Sequence, residues 1–168
     1  YLTISKCFDG KQVTRCYSIC SSPEEHNLTI GVKAIDDGVM SHFLNTSLQP
    51  SQELIVNGPF GDFIYPAKHG QRTDTLVLIA IGSGITPIFS IIKTALFTHN
   101  GPTIELIYAG KNIKNLMFYR QLEQLKLQFG QRLNIHYVLK DASPKANTTQ
   151  SRLNTAYFHS FLSDLFTK

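Results

Sequence analysis

The sequence predicts two halves of different fold class: an antiparallel β-barrel of Greek-key type, followed by an open, parallel α/β sheet. Before Gly70, short runs of β-branched and aromatic residues are separated by turn residues. After Gly70, apolar strand-like runs alternate with longer helical patterns. Residues 66–73 between them are rich in Pro, Gly, Lys and Arg. We therefore assign residues 1–69 to the barrel domain and residues 70–168 to the α/β domain.

In the first half, the patterns predict strands at residues 1–8, 13–20, 28–34 and 53–56 and a short helix at residues 40–48. Asp9-Gly10 is a dipeptide typical of a two-residue hairpin between the first two strands. Ser22-Pro23 is a turn signal that ends the second strand. An antiparallel meander or Greek-key barrel follows from this order.

In the second half, residues 75–81 read Thr-Leu-Val-Leu-Ile-Ala-Ile, without polar alternation, as in a parallel strand covered on both faces. A helix is predicted from Pro87, with Thr86 as its N-cap. Further elements are predicted as strands at 104–108 and 133–139, helices at 115–129 and 155–166, and a polar loop at 141–151. Two apolar helix faces are expected, one of Ile88, Ile91, Ile92 and Ala95 and one of Phe118, Leu122, Leu125 and Phe129, the second helix ending at Gly130. The strand and helix order predicts right-handed βαβ units and an open parallel sheet.

Composition excludes several classes of protein. With 168 residues, of which 42% are hydrophobic and 17% charged, the chain is neither disordered nor a coiled coil. The net charge of +4 comes without a dense basic run, so nucleic-acid binding is not expected. The longest apolar run, residues 76–81, is far shorter than the ~20 residues that cross a bilayer. Three cysteines without a Cys-x-x-Cys pair, and scattered histidines, predict reduced thiols in a cytoplasmic protein without a metal site.

The two ends predict an incomplete chain. The sequence begins in strand-like alternation without a methionine, and the helix predicted at residues 155–166 is not followed by a strand. We therefore expect the natural chain to extend beyond both ends.

Three segments could carry chemistry. Gly82-Ser83-Gly84-Ile85-Thr86-Pro87 joins a predicted buried strand to a helix, where free amides and the helix dipole favour a phosphate. A tight turn without a ligand is the alternative, since the last glycine of the usual Gly-x-Gly-x-x-Gly pattern is replaced by proline.

The second segment is Arg15-Cys16-Tyr17-Ser18. Strand alternation places Arg15 and Tyr17 on one face and Ser18 on the other, so a guanidinium and an aromatic ring could hold a phosphate and a flat ring system. A surface cross-strand pair is the alternative. The third segment, residues 38–41, places Ser41 at a helix start as either a plain cap or an anion site.

In their order along the chain, Arg-x-Tyr-Ser, Gly-Val-x-Ser, Gly58-Pro59-Phe60-Gly61 and Gly-x-Gly-x-Thr-Pro resemble the ferredoxin-NADP reductase superfamily. In wording, residues 15–23 are most similar to reductase components of bacterial oxygenases, such as the phenylacetyl-CoA epoxidase reductase type. The resemblance implies an FAD-dependent NAD(P)H reductase, which passes a hydride from NAD(P)H to FAD and then single electrons to an iron-sulfur or haem acceptor.

The resemblance implies that N-terminal barrel strands before Tyr1 and the C-terminal end of the nucleotide-binding domain are missing from this chain.

The resemblance also implies roles for individual residues. Tyr17 would stack on the isoalloxazine and Ser18 would hydrogen-bond near flavin N5, which makes these two the catalytic candidates. The other implied cofactor contacts are with the FAD pyrophosphate (Arg15, Gly38, Val39, Met40, Ser41), the flavin edge (backbone of Val32 and Lys33) and the nicotinamide nucleotide (Gly82, Gly84, Thr86, Pro87). Residues 107–111, Ile-Tyr-Ala-Gly-Lys, depart from the family's Tyr-Gly-Asn-Arg and weaken any cofactor contact there.

Several points stay open. Lys140 would favour the 2'-phosphate of NADPH and Asp141 would oppose it, with Lys145 and Arg152 as further candidates, so NADPH and NADH remain alternatives. A 2Fe-2S cluster is expected only in a domain outside this chain, because its cysteine spacing is absent. The implied partners are NAD(P)H and a ferredoxin-like or oxygenase electron acceptor, without nucleic acid or membrane. The alternatives are the reductase half of a flavohaemoglobin, a free ferredoxin reductase, a flavin-binding electron-transfer or regulatory subunit without nicotinamide turnover, and a flavin-free interaction domain.

Overall fold

The computed structural model describes residues 1–65, 75–141, 148–150 and 153–166. The predicted linker at residues 66–73 and the candidate cations Lys145 and Arg152 lie outside the described residues. The chain divides into two compact units. One contains Tyr1–Asp74 and Ser83–Pro102, and the other contains Thr75–Gly82 and Thr103–Lys168.

The first unit contains a three-stranded antiparallel sheet in the order β2-β1-β3. Its strands are β1 (Leu2–Phe8), β2 (Lys11–Tyr17) and β3 (Ile55–Asn57). The predicted hairpin is confirmed: Phe8 pairs with Lys11, and Asp9 and Gly10 form the loop with φ of 49° and 77°. A two-residue loop with positive φ at both positions matches the right-handed twist of the strands. Within the described residues, this three-stranded sheet corresponds to the antiparallel structure that the sequence predicts for the first half of the chain.

Two predictions in this unit were wrong in detail. Residues 28–34 form only one bridge, between Ile19 and Ile30, instead of a strand. Here the Ser21 hydroxyl accepts a hydrogen bond of 3.0 Å from the Thr29 amide. Hydrogen bonds from the main chain to side chains compete with the main-chain hydrogen bonds between strands. The predicted helix at 40–48 is a short α-helix, α1 (Val39–His42), that continues as a π-helical turn, Phe43–Ser47.

Helix α2 (Ile85–Phe97) belongs to the same unit and begins earlier than predicted. Its N-cap is Gly84 and not Thr86, because the 3₁₀ turn Gly82–Gly84 already winds the backbone. Thr86 lies in the first helical turn, where its hydroxyl donates to the Ser83 carbonyl at 2.9 Å. The predicted apolar face is confirmed as buried at Ile88, Ile91, Ile92 and Ala95.

The second unit confirms the predicted open parallel sheet, with strand order β4-β5-β6-β7. The strands are β4 (Thr75–Ile81), β5 (Thr103–Gly110), β6 (Leu133–Leu139) and β7 (Thr148–Gln150). Strand β7 lies where a loop was predicted, since its polar residues gave no apolar signal. Strand β4 was expected to be covered on both faces, which was wrong: Leu78 and Ala80 are buried, but Ile79 and Ile81 are 46% and 65% exposed.

Two helices complete this unit, α3 (Tyr119–Phe129) and α4 (Thr155–Phe166). Helix α3 begins later than predicted, because Asn112 caps a separate 3₁₀ turn, Ile113–Asn115, by accepting the Asn115 amide. Gly130 ends α3 with φ of 55°, as predicted. Helix α4 has the predicted bounds, and its aromatic residues pack against a buried cluster of Ile107, Ala109 and Val138.

The described ranges contain neither a membrane-crossing helix nor a cluster of metal ligands. In them, no helix has the length and apolar character to cross a bilayer. Nor do three His, Cys, Asp or Glu side chains converge as a bound metal ion would need in that part of the chain. Cys7, Cys16 and Cys20 are free thiols.

Candidate functional site

The carboxyl end of β2 carries the first predicted group. Arg15 is exposed and donates to the Thr14 carbonyl at 2.8 Å. Tyr17 is half-buried, and burial raises the pKa of its phenol, while the nearby Arg15 guanidinium lowers it in part. Ser18 follows the end of the strand and is half-buried. The cation and the aromatic ring therefore lie close together, as strand alternation predicts.

The segment from Val32 to Ser41 carries the second group. Val32 is half-buried and Lys33 exposed, both in irregular chain. The buried Ser41 hydroxyl donates to the Gly38 carbonyl at 2.9 Å and accepts the Ile35 amide at 3.3 Å. Ser41 thus supports this turn from within α1, but it is not the predicted cap, because no side chain caps the start of α1. Val39 is exposed, whereas Met40 is 2% exposed, so Met40 presents only its backbone to a ligand.

A Cβ atom at Gly38 would collide with the Ser41 Oγ and with Ile35 Cγ1. The fold itself therefore requires a glycine at this position, quite apart from any ligand.

The glycine turn between β4 and α2, Gly82–Gly84, differs from the turn at Gly38. Gly82 has φ of 55°, which L side chains rarely adopt, whereas Gly84 has an ordinary φ of −61°. A Cβ at either glycine would have no atom of the described residues within 4 Å. Gly84 also receives no side-chain cap as the N-cap of α2. The backbone of this turn is therefore open to close approach, and packing does not require a glycine at position 84.

A concave cavity of about 870 Å³ lies within the first unit. Its walls come from Tyr1 and from three segments, residues 18–28, 59–65 and 87–94. The volume is in the range of about 300–1,000 Å³ that cofactor and ligand sites occupy. Of the predicted site residues, Ser18 and Pro87 line this cavity.

A polar network, missed by sequence reasoning, holds one wall of this cavity. The Glu25 carboxylate accepts from the Ser22 amide at 2.7 Å and pairs with the Lys93 ammonium of α2. Lys93 also lies 4.8 Å above the Phe89 ring, and the Ser90 hydroxyl donates to the Ser21 carbonyl at 2.7 Å. Burial raises the pKa of Glu25, but Lys93 and Ser22 outweigh it, so the net shift is downward. The Ser-x-x-Glu spacing at positions 22 and 25 is a capping-box pattern and was the available signal.

The carboxyl edge of the parallel sheet carries two exposed lysines. The β5–β6 pairing continues past the strands, because the Lys140 amide donates to Gly110 O at 3.0 Å and the Asp141 amide to Lys111 O at 2.8 Å. Lys111 and Lys140 are therefore neighbours on adjacent chains, and both are exposed. The Asp141 carboxylate accepts a bond of 3.4 Å from the Asn112 side chain. Ligands of open α/β sheets bind outside the carboxyl ends of the strands.

Family models match both halves of the chain. Residues 1–65 match the oxidoreductase FAD-binding domain, and residues 78–167 match the oxidoreductase NAD-binding domain. A component of the 1,2-phenylacetyl-CoA epoxidase from Escherichia coli is 32% identical over 92% of this chain and 43% of its own length. The glycine betaine monooxygenase reductase subunit of Chromohalobacter salexigens is 32% identical over 74% of this chain and 33% of its own length. The chain thus spans less than half the length of these relatives.

Solved structures agree with the fold. The FAD/NAD-binding domain of nitric oxide dioxygenase from Vibrio cholerae superposes with a TM-score of 0.76 at 25% identity, over 93% of this chain and 65% of that one. Ferredoxin-NADP+ reductase from Plasmodium falciparum superposes with a TM-score of 0.77 at 21% identity, over 98% of this chain and 67% of that one.

Proposed function

The chain belongs to the ferredoxin-NADP reductase family of oxidoreductases, which join an FAD-binding to an NAD-binding domain, and we propose that it is the flavin and nucleotide portion of an FAD-dependent NAD(P)H reductase. In this proposal residues 1–69 hold FAD and residues 70–168 hold the nicotinamide nucleotide. The acceptor is the iron-sulfur or haem centre of an oxygenase or of a ferredoxin-like protein, in the cytoplasm. Support for an oxygenase comes from the names of the Escherichia coli and Chromohalobacter relatives.

The residues at the end of β2 fit a flavin. The Tyr17 ring is half-buried beside the Arg15 guanidinium, so a flat ring can stack while a phosphate pairs with the cation. Ser18 lines the cavity of about 870 Å³ and can donate to a ring nitrogen. Val32 and Lys33 are proposed to border the flavin through their backbone.

For the FAD pyrophosphate we propose the turn of Gly38, Val39, Met40 and Ser41. Its contacts would come from main-chain amides, because the Ser41 hydroxyl is already bonded to the Gly38 carbonyl and the Ile35 amide.

The glycine turn carries the proposal for the nicotinamide nucleotide. The single observation that favours a ligand over a plain tight turn is the open space beside Gly84. The backbone conformation of Gly84 suits any residue, so neither packing nor conformation accounts for a glycine there. A pyrophosphate can approach such a backbone and bind the amides at the start of α2. Thr86 supports the turn through Ser83, and Pro87 lines the cavity at its start.

The chemistry asks for alignment more than for acid or base groups. When bound, FAD would supply the hydride and single-electron chemistry. The chain's own tasks are to stack the flavin on Tyr17, hold a proton at the Ser18 hydroxyl for donation, and bind the nucleotide in a fixed orientation.

We further propose NADPH as the preferred donor. Lys111 and Lys140 are exposed and lie on neighbouring chains at the carboxyl edge of the sheet, where the Asp141 carboxylate accepts from Asn112. Two exposed lysines outnumber this carboxylate and favour the 2'-phosphate that distinguishes NADPH from NADH.

The test is the visible spectrum of the purified full-length protein, recorded anaerobically before and after adding NADPH or NADH. The proposal expects flavin bands that bleach faster with NADPH. A protein that stays colourless after FAD is supplied, or whose flavin responds to neither nucleotide, contradicts it.

A further inference from the structure

The Tyr108 hydroxyl connects two separate segments in the interior of the second unit. Tyr108 lies on β5 and is fully buried. Its hydroxyl donates to the Gly82 carbonyl at 3.0 Å and accepts the Met117 amide at 3.1 Å. A phenol has one proton to donate and lone pairs to accept, so both capacities are in use.

Both hydrogen-bond partners of Tyr108 lie in segments outside the paired strands of the parallel sheet. Gly82 is the first residue after β4 and the first of the glycine turn, in a left-handed conformation. Met117 lies in the connection between the 3₁₀ turn Ile113–Asn115 and α3. One hydroxyl therefore fixes the carbonyl of the turn's first residue against a buried, rigid strand.

The donor persists over the whole physiological pH range. Burial raises the pKa of Tyr108 to about 12, despite the bond to Met117. The phenol is therefore protonated at neutral pH, and the Gly82 carbonyl keeps its donor there.

We propose that Tyr108 is a positioning residue for the nicotinamide nucleotide, acting through the carbonyl of Gly82 to set the orientation of the glycine turn. This inference rests on the proposed function, since it assigns a cause to the geometry of the same turn. Tyr108 itself has no contact with the ligand in this proposal.

The chain supplies a matched control in Tyr137. It is the register partner of Tyr108 on β6, its ring lies 6.4 Å from the Tyr108 ring, and it is also buried. Its hydroxyl instead donates to the Glu123 carboxylate of α3 at 2.9 Å. Tyr108→Phe and Tyr137→Phe thus remove the same atom from neighbouring buried rings, and only Tyr108→Phe releases the glycine turn.

The experiment compares the two variants in the full-length, FAD-loaded protein. The measurements are the dissociation constant of NADP+ by calorimetry, KM and kcat for NADPH, FAD content, and amide hydrogen exchange. We expect Tyr108→Phe to weaken NADP+ binding and raise KM by about three- to tenfold, the effect of one lost hydrogen bond, at unchanged FAD content and kcat. Exchange should become faster at the Met117 amide and at Gly82–Gly84. Tyr137→Phe should leave the dissociation constant, KM and exchange at these amides at wild-type values.

Two results would overturn the inference about Tyr108 and leave the proposed function standing. One is wild-type NADP+ affinity in Tyr108→Phe together with faster exchange at Met117, and the other is an equal loss of affinity in both variants. Wild-type protein that binds FAD but neither NADP+ nor NAD+ refutes the proposed function itself, and the inference falls with it.

Discussion

Replacing Gly84 by alanine separates what the fold requires at the nucleotide turn from what a ligand requires. Gly84 has φ of −61° and ψ of −9°, a conformation that alanine adopts without strain. The added Cβ would meet nothing within 4 Å. The substitution therefore places one methyl group into the space where we propose that the pyrophosphate approaches the backbone.

Gly84→Ala has two small and opposite effects on the free energy of unfolding. Gly→Ala at a compatible conformation stabilises by about 0.4–1 kcal/mol, because the unfolded chain loses freedom. Alanine at an N-cap loses a similar amount relative to glycine. The net change should therefore stay below about 1 kcal/mol. Forcing a methyl group into a filled contact costs about 1–3 kcal/mol, so the dissociation constant of NADP+ should rise about fivefold to 150-fold.

The assay pairs denaturant unfolding with calorimetric titration of NADP+ on the same FAD-loaded protein. Gly82→Ala serves as a contrast, because a side chain at its φ of 55° is strained and should cost about 1–2 kcal/mol of stability. Gly10→Ala, in the β1–β2 hairpin at φ of 77°, carries comparable strain in open space away from the turn. It should lose stability without losing nucleotide affinity.

Wild-type NADP+ affinity in Gly84→Ala would show that the ligand does not approach this backbone. A loss of more than about 2 kcal/mol of stability would show instead that packing requires the glycine. Either result refutes the reasoning from open space.

Three further outcomes are expected. Arg15→Met should release FAD on gel filtration where Lys11→Met retains it, because Arg15 lies near the Tyr17 phenol whereas Lys11 lies at the other end of β2; equal retention would remove Arg15 from the site. Glu25→Gln should lower stability by up to about 1 kcal/mol at neutral pH, the range of an exposed ion pair with Lys93. Because the folded pKa of Glu25 is lowered, this advantage is present above the ordinary glutamate pKa of about 4.3 and is lost as the pH falls below it, so the two unfolding curves should converge there. Lys140→Ala should raise KM for NADPH more than for NADH, and the difference should shrink with added salt; equal changes would count against NADPH as the preferred donor.

Local sequence patterns determined the secondary structure where it depends on neighbouring residues and on which face is buried. Asp9-Gly10 specified its hairpin because the loop needs positive φ at both positions. Strand β6 and helix α4 have the predicted bounds, since apolar periodicity marks their buried faces directly. The order of the short motifs also indicated the family.

Local patterns were misleading at two segments. The strand predicted at 28–34 forms only one bridge, and the Thr29 amide bonds to the Ser21 hydroxyl. The helix predicted at 115–129 begins only at Tyr119, because Leu116 is extended and Phe118 has the left-handed conformation. The polar strand β7 gave no signal because its sequence, Thr-Thr-Gln, has no apolar residue to mark a buried face.

The sequence by itself determined that glycines stand at 38, 82 and 84, and only the tertiary structure decided what each is for. Gly38 is required by contact with Ser41 and Ile35, Gly82 by its backbone conformation, and Gly84 by neither. The same holds for Tyr108 and Tyr137, which look alike in two apolar strands but bond to different segments. Periodicity reports which face a residue occupies, whereas its partners come from parts of the chain that only folding brings together.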